Sequence, residues 1–79
     1  MNNKNNSSKN PIPLEKEIWA KIRCWQAMND ISDYLLADSL KVVERTLRNY
    51  DRNAGNLTLE KIGNFLKYAG IDINELLHI

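Results

Sequence analysis

The sequence predicts an all-α fold, a compact bundle of five helices. Apolar residues recur at three- and four-residue steps in several successive short segments. Ser, Thr and Asp stand where helices would start, and Gly70 stands where one would stop. Neither a strand-like alternation nor an internal repeat is present.

Residues 1–12 form an Asn/Ser/Lys-rich tail, too polar to bury enough apolar surface to order itself, and Pro11 and Pro13 end it. The globular domain then spans residues 13–79. Its first helix is expected over Leu14–Asn29, where Leu14, Ile18, Ile22 and Trp25 share a stripe and Pro13 suits the first helical turn. Trp19 lies about 100° off that stripe and reads as a flank of the core or part of a partner contact. The second helix starts at Ser32, whose hydroxyl can cap free N–H groups, with Asp33 beside the positive helix end. Leu35, Leu36, Ala37 and Leu40 supply its apolar side, and the small Ala37 permits a close helix crossing.

After a tight turn at Lys41-Val42 a third helix runs to Asp51 or Arg52. At about 100° per residue, Val43, Leu47 and Tyr50 fall on one stripe, while Arg45, Arg48, Asn49 and Arg52 fall on the other side. So short a helix needs its apolar stripe packed on a partner, which turns the guanidinium face outward. Asn53 and Gly55 tolerate left-handed backbone, so Asn53–Leu57 is expected to be a surface loop. Thr58 caps a fourth helix carrying Leu59, Ile62, Phe65, Leu66 and Ala69, and Gly70 stops it. Asp72 and Glu75 have the spacing of a capping box for a short fifth helix with Ile73, Leu76 and Leu77.

From Ile31 to Leu77 the chain resembles a Cro/cI-type (Xre-like, lambda-repressor-like) helix-turn-helix domain. The residues that carry the resemblance are Leu36-Ala37, Leu40, Val42, Thr46-Leu47, Asp51-Arg52, Asn56, Leu59-Glu60, Gly70-Ile71 and Leu76-Leu77. The resemblance implies a lambda-repressor-like five-helix fold whose third helix reads bases in the major groove of double-stranded DNA. It places Glu44, Arg45, Arg48 and Asn49 at base-reading positions, and Ser32, Arg52, Asn53 and Asn56 at phosphate-contacting ones. Arg forks match guanine and carboxamides match adenine there. Val43, at the start of that helix, either closes the core or touches a thymine methyl. The chain departs from the family pattern at three places. Lys41 stands where Gly is usual and must adopt unfavourable backbone or bend the turn differently. Asp33 replaces a phosphate-binding Gln with a carboxylate that would repel phosphate, and Leu57 replaces a common Pro.

Net charge is only +1, but it is unevenly distributed. Lys4 and Lys9 make the tail positive, residues 13–30 balance, and Asp33 and Asp38 make residues 31–40 negative. Residues 41–52 are positive, through Lys41, Arg45, Arg48 and Arg52 against Glu44 and Asp51. Such a localised patch is the footprint a short electrostatic contact with nucleic acid requires.

Other chemistry finds little support. Cys24 and His78 occur once each and cannot build a tetrahedral metal site, so Cys24 reads as a small helix residue and His78 as a helix-end residue. Asp51–Asn56 fails as a calcium loop, because Asn56 sits where Gly is needed and Ile62 where the bidentate Glu belongs. With no phosphate-cradling loop, no catalytic triad and no carboxylate pair in a cleft, the expectation is a non-enzyme without cofactor, metal or small-molecule ligand. No apolar run approaches the roughly 18 residues of a membrane span, and the N-terminus lacks the apolar segment of a signal peptide, so a cytoplasmic protein without membrane contact is expected.

Two functions fit. The first is a sequence-specific transcriptional regulator, a small Cro-like repressor acting as a homodimer on DNA, with Ile73, Leu77 and Ile79 as the dimer interface. Those residues alternatively finish the monomer core. The second is a protein-interaction module of the same fold, an antitoxin-like or anti-repressor-like partner.

Overall fold

The computed structural model describes residues 12–79; the N-terminal tail with Lys4 and Lys9 lies outside them. Five α-helices follow one another: α1 Leu14–Met28, α2 Asp33–Leu40, α3 Glu44–Arg52, α4 Leu59–Ala69 and α5 Ile73–Leu77. A single 3-10 turn, Ala54–Asn56, links α3 to α4, and no strand occurs among the described residues. The all-α, five-helix architecture read from the sequence is the one observed.

Short-range chemistry sets the helix starts. The Ser32 hydroxyl accepts the Leu35 N–H, Thr58 accepts the Lys61 N–H, and Asp72 and Glu75 close a reciprocal capping box. The helix ends use left-handed residues. At α2, Lys41 takes φ 63°, its N–H donates to the Asp38 carbonyl and the Val42 N–H donates to Ala37. That six-to-one bond pattern normally falls to Gly, as it does at Gly70 (φ 71°) after α4. Lys41 therefore bears backbone strain of about 1–2 kcal/mol rather than bending the turn. Asp30 closes α1 in the same way at φ 54°.

All five helices contribute to one core: Ile18, Trp19 and Ile22 of α1, Leu36, Ala37 and Leu40 of α2, Leu47 and Tyr50 of α3, Ile62 and Phe65 of α4, and Leu76 of α5, with Ala54 and Leu57 from the connecting segment. Trp19 belongs to the core proper, with its ring edge-on to Tyr50 at 5.0 Å, and Trp25 meets Phe65 the same way at 5.2 Å.

Several apolar assignments need correction. Leu14, Leu35 and Leu59 are exposed: each lies near the start of its helix on the side turned from the core, while Leu36 and Ile62 of the same first turns of α2 and α4 are buried. Val43 is 66% exposed and does not share the buried stripe of Leu47 and Tyr50. It is the extended residue preceding α3 (φ −85°, ψ 158°), so the helical angle used to place it does not apply. Nor do Asn53 and Gly55 use left-handed backbone: Asn53 is extended, and its Oδ1 accepts the Gly55 N–H to start the 3-10 turn.

Candidate nucleic-acid interface

The turn Lys41–Val43 sets α3 against α2, and α3 has two distinct faces. Leu47 is fully buried and Tyr50 nearly so, whereas Glu44, Arg45, Arg48, Asn49 and Arg52 are all exposed. Burial also pushes the Tyr50 phenol pKa up, so it stays neutral in the core. The third helix thus brings the four expected base-reading residues together on one outward face.

On that face no arginine is tied to a carboxylate. Among the described residues the only ion pairs are those of Arg23, so Arg45, Arg48 and Arg52 form none. Arg52 Nη2 donates to Asn49 Oδ1 at 2.7 Å, which orients the Asn49 carboxamide and leaves its NH2 group to donate outward. The start of α3 has no side-chain cap, since the Val43 side chain offers no acceptor; the Val43 carbonyl accepts the Thr46 N–H at 2.9 Å.

The residues expected at phosphate-contacting positions lie at the start of α2, at the end of α3 and in the 3-10 turn that follows it. Ser32 is exposed at the start of α2, although its hydroxyl already serves as the cap. Arg52 and Asn53 share a groove of about 350 Å³ with Lys16 and Pro13 of the α1 end, and Asn56 is exposed in the 3-10 turn.

Behind the face lies a polar hub that the sequence reading did not include. Arg23, on α1, donates to Asp51 through Nε (3.0 Å) and Nη2 (2.9 Å), and through Nη1 to Asp33 (2.8 Å) and Gln26 (2.7 Å). Trp19 Nε1 donates to the same Asp51 oxygen at 2.7 Å, and the Arg23 guanidinium stacks on the Trp19 ring at 5.4 Å. The buried Gln26 carboxamide donates to the Ile31 carbonyl and to Asp33. The Arg23 hydrogen bonds hold the Asp51 carboxyl below its ordinary pKa. For Asp33 the Gln26 bond lowers the pKa most, followed by Arg23. Asp33 is thus paired with a cation, so it is not the isolated phosphate-repelling carboxylate expected from the sequence. No local signal could have shown this, since the partners of Arg23 lie 10 and 28 positions along the chain.

The expected dimer residues are divided. Leu77 and Ile79 are partly buried against the protein's own core, while Ile73 is exposed. Lys21 Nζ donates to the Ile79 carbonyl at 2.6 Å, which fastens the C-terminal segment to α1. His78 ends α5 with Nδ1 2.7 Å from the Asn74 carbonyl, and Cys24 is exposed on α1.

No grouping of three or more metal-ligating side chains occurs among the described residues, and no described helix is long and apolar enough to cross a membrane. No family model matches the chain, and neither do the curated proteins or the solved structures compared with it.

Proposed function

We propose that the protein is a sequence-specific DNA-binding regulator, a small Cro-like repressor that inserts α3 into the major groove and acts as a homodimer. One observation carries the reading: α3 buries Leu47 and Tyr50 and turns Arg45, Arg48, Asn49 and Arg52 outward with no carboxylate paired to any of the three arginines. Exposed guanidinium groups without carboxylate partners are the donors that guanine edges and phosphates require. Arg45 and Arg48 take base edges, with Asn49 held by Arg52 as an adenine reader and Glu44 as an acceptor for cytosine N4. Ser32, Arg52, Asn53 and Asn56 take phosphates and fix the register.

The test is selection of duplexes from a randomised pool, followed by fluorescence anisotropy on the winner and a scrambled control at two salt concentrations. The reading expects a cognate preference and an affinity that falls steeply with salt. Equal, salt-insensitive binding to both, or none, refutes it.

A second reading has its own observation. Tyr34 and Val43, each 66% exposed, line a groove of about 300 Å³ between α2 and α3 together with Asp38 and Glu44. An apolar groove edged by carboxylates suits a protein partner that brings apolar and basic side chains. Binding to an unrelated protein in place of DNA would favour this interaction-module reading.

A further inference from the structure

α2 packs on α4 in an antiparallel sense, with Lys61 Nζ 3.4 Å from the Lys41 carbonyl oxygen. Asp38, Ser39 and Lys41 of the α2 end share a groove of about 320 Å³ with Asn64, Lys67 and Tyr68 of α4, and no residue of α3 lines it. The groove is cationic. Lys41 and Lys67 stand in it with Lys61 beside it, and none of the three forms an ion pair among the described residues. Asp38 is the one carboxylate lining it, and it too is in no such pair. Lys41 reaches the groove from left-handed backbone, φ 63° and ψ 42°, a conformation that Gly70 takes without strain at the end of α4. A strained non-Gly residue of this kind is a pointer to function.

Beyond the Tyr68 end of the groove the surface turns apolar. Tyr68 is 44% exposed and stands edge-on to Trp25 of α1 at 6.2 Å. Leu35, 42% exposed, precedes Asp38 and Ser39 by three and four positions, so it shares their stripe of α2 and extends the groove wall by one turn. This face thus joins two large side chains left half uncovered to an excess of positive charge. Such a surface complements a partner whose apolar side chains are flanked by carboxylates. A groove between two helices fits a third, laid with its apolar stripe along it. In a second copy of this chain, the outward face of α3 carries the wrong charge and the α5 carboxylates are held in their capping box. The occupant argued for is therefore a different protein.

We infer that the α2–α4 groove is a docking surface for an acidic amphipathic helix of a second protein, with Leu35 and Tyr68 taking its apolar side chains and Lys41 and Lys67 its carboxylates. Because α3 takes no part in the groove, such a partner leaves the outward face of α3 free, and the inference stands whether or not that face reads DNA. The surface is also distinct from the α2–α3 groove of Tyr34 and Val43, whose carboxylates suit a basic partner.

The full-length protein is used to select from a randomised library of helix-forming peptides about 20 residues long. Selected peptides are expected to carry Asp or Glu beside Leu, Met or Phe repeated at three and four positions. The tightest is titrated by fluorescence anisotropy against the parent, Lys67→Glu, Tyr68→Ala and Lys41→Gly, with a thermal melt of each. Lys67→Glu and Tyr68→Ala are each expected to weaken it about tenfold, the former by less at high salt. Lys41→Gly removes a charge and relieves the left-handed strain, so it is expected to weaken the peptide about fivefold while melting no lower than the parent. That split separates binding from folding. Lys16→Glu, in the separate groove beside Arg52, is expected to leave the peptide's affinity unchanged. A selection without binders, selected peptides without acidic residues, or folded variants that bind as the parent does overturn the inference. So does a parent dimer that Tyr68→Ala dissolves in sedimentation, which puts a second copy in the groove.

Discussion

Arg23 and Asp51 meet in a parallel two-bond fork, Nε to Oδ1 at 3.0 Å and Nη2 to Oδ2 at 2.9 Å, that fastens the middle of α1 to the last turn of α3. The fork does two things for the outward face. It fixes the rotation of α3, since Asp51 lies between the buried Tyr50 and the exposed Arg52. It also occupies the Asp51 carboxylate, which would otherwise attract Arg48, the cation one turn earlier that already lowers its pKa through space.

Arg23→Ala is therefore expected to destabilise the protein by about 1–2 kcal/mol, the range for charge-assisted hydrogen bonds reduced for partial solvent exposure. Arg23→Lys keeps the charge but cannot reproduce the fork, and it is expected to recover less than half of the loss. Urea denaturation of the two variants checks this. A Lys variant as stable as the parent would show that charge alone suffices.

Stability should also depend on pH in a defined direction. The folded-state pKa values of Asp33 and Asp51 lie below their unfolded values, so their contribution is complete above the unfolded carboxylate pKa of about 3.9. It is lost as pH falls through the depressed folded values. Melting temperature is expected to be level with respect to these two groups from pH 7 to about 5 and to fall below about 4, with Arg23→Ala showing a shallower acid fall. An Arg23→Ala profile that runs parallel to the parent's through the acid limb would contradict the assignment.

Ile73 is the apolar residue of the expected dimer patch left exposed by the monomer's own packing, while Leu77 and Ile79 are partly buried. Ile73→Asp is expected to leave the folding stability within about 1 kcal/mol of the parent's. On a palindromic duplex it should shift sedimentation from two copies bound to one, because a two-fold patch meets itself and each substitution places two carboxylates together. Unaltered two-copy binding would place the interface elsewhere.

What was legible in the sequence follows the range of the interactions. Ser32, Thr58 and the Asp72–Glu75 pair bond to backbone or side chains three residues away, so local spacing identified them. Gly70 was equally readable, since a left-handed stop is a property of one residue. The outward face of α3 was readable because Leu47 and Tyr50 repeat at helical spacing. Val43 precedes the helix whose periodicity would place it, and Leu59 opens α4 on the side turned from the core, while Ile62 of the same turn is buried. The Arg23 hub was out of reach, since its meaning depends on Asp33 and Asp51 being folded to within 3 Å of one guanidinium. Lys61 belongs to the same class: its nearness to Lys41 comes from α4 packing on α2, 20 positions apart in the chain.

The central claim, that the outward face of α3 reads DNA bases, is tested most directly by titrating Arg45→Ala against the selected duplex and its scrambled control. Arg45 is exposed and makes no ion pair among the described residues, so its removal leaves the fold untouched. Losing a base-reading fork is expected to cost about 1–3 kcal/mol on the selected duplex and to relax preference at one base position. Affinity for the scrambled duplex should change far less, so the ratio between the two collapses roughly 5- to 150-fold. An Arg45→Ala protein that binds both duplexes as the parent does would contradict the account.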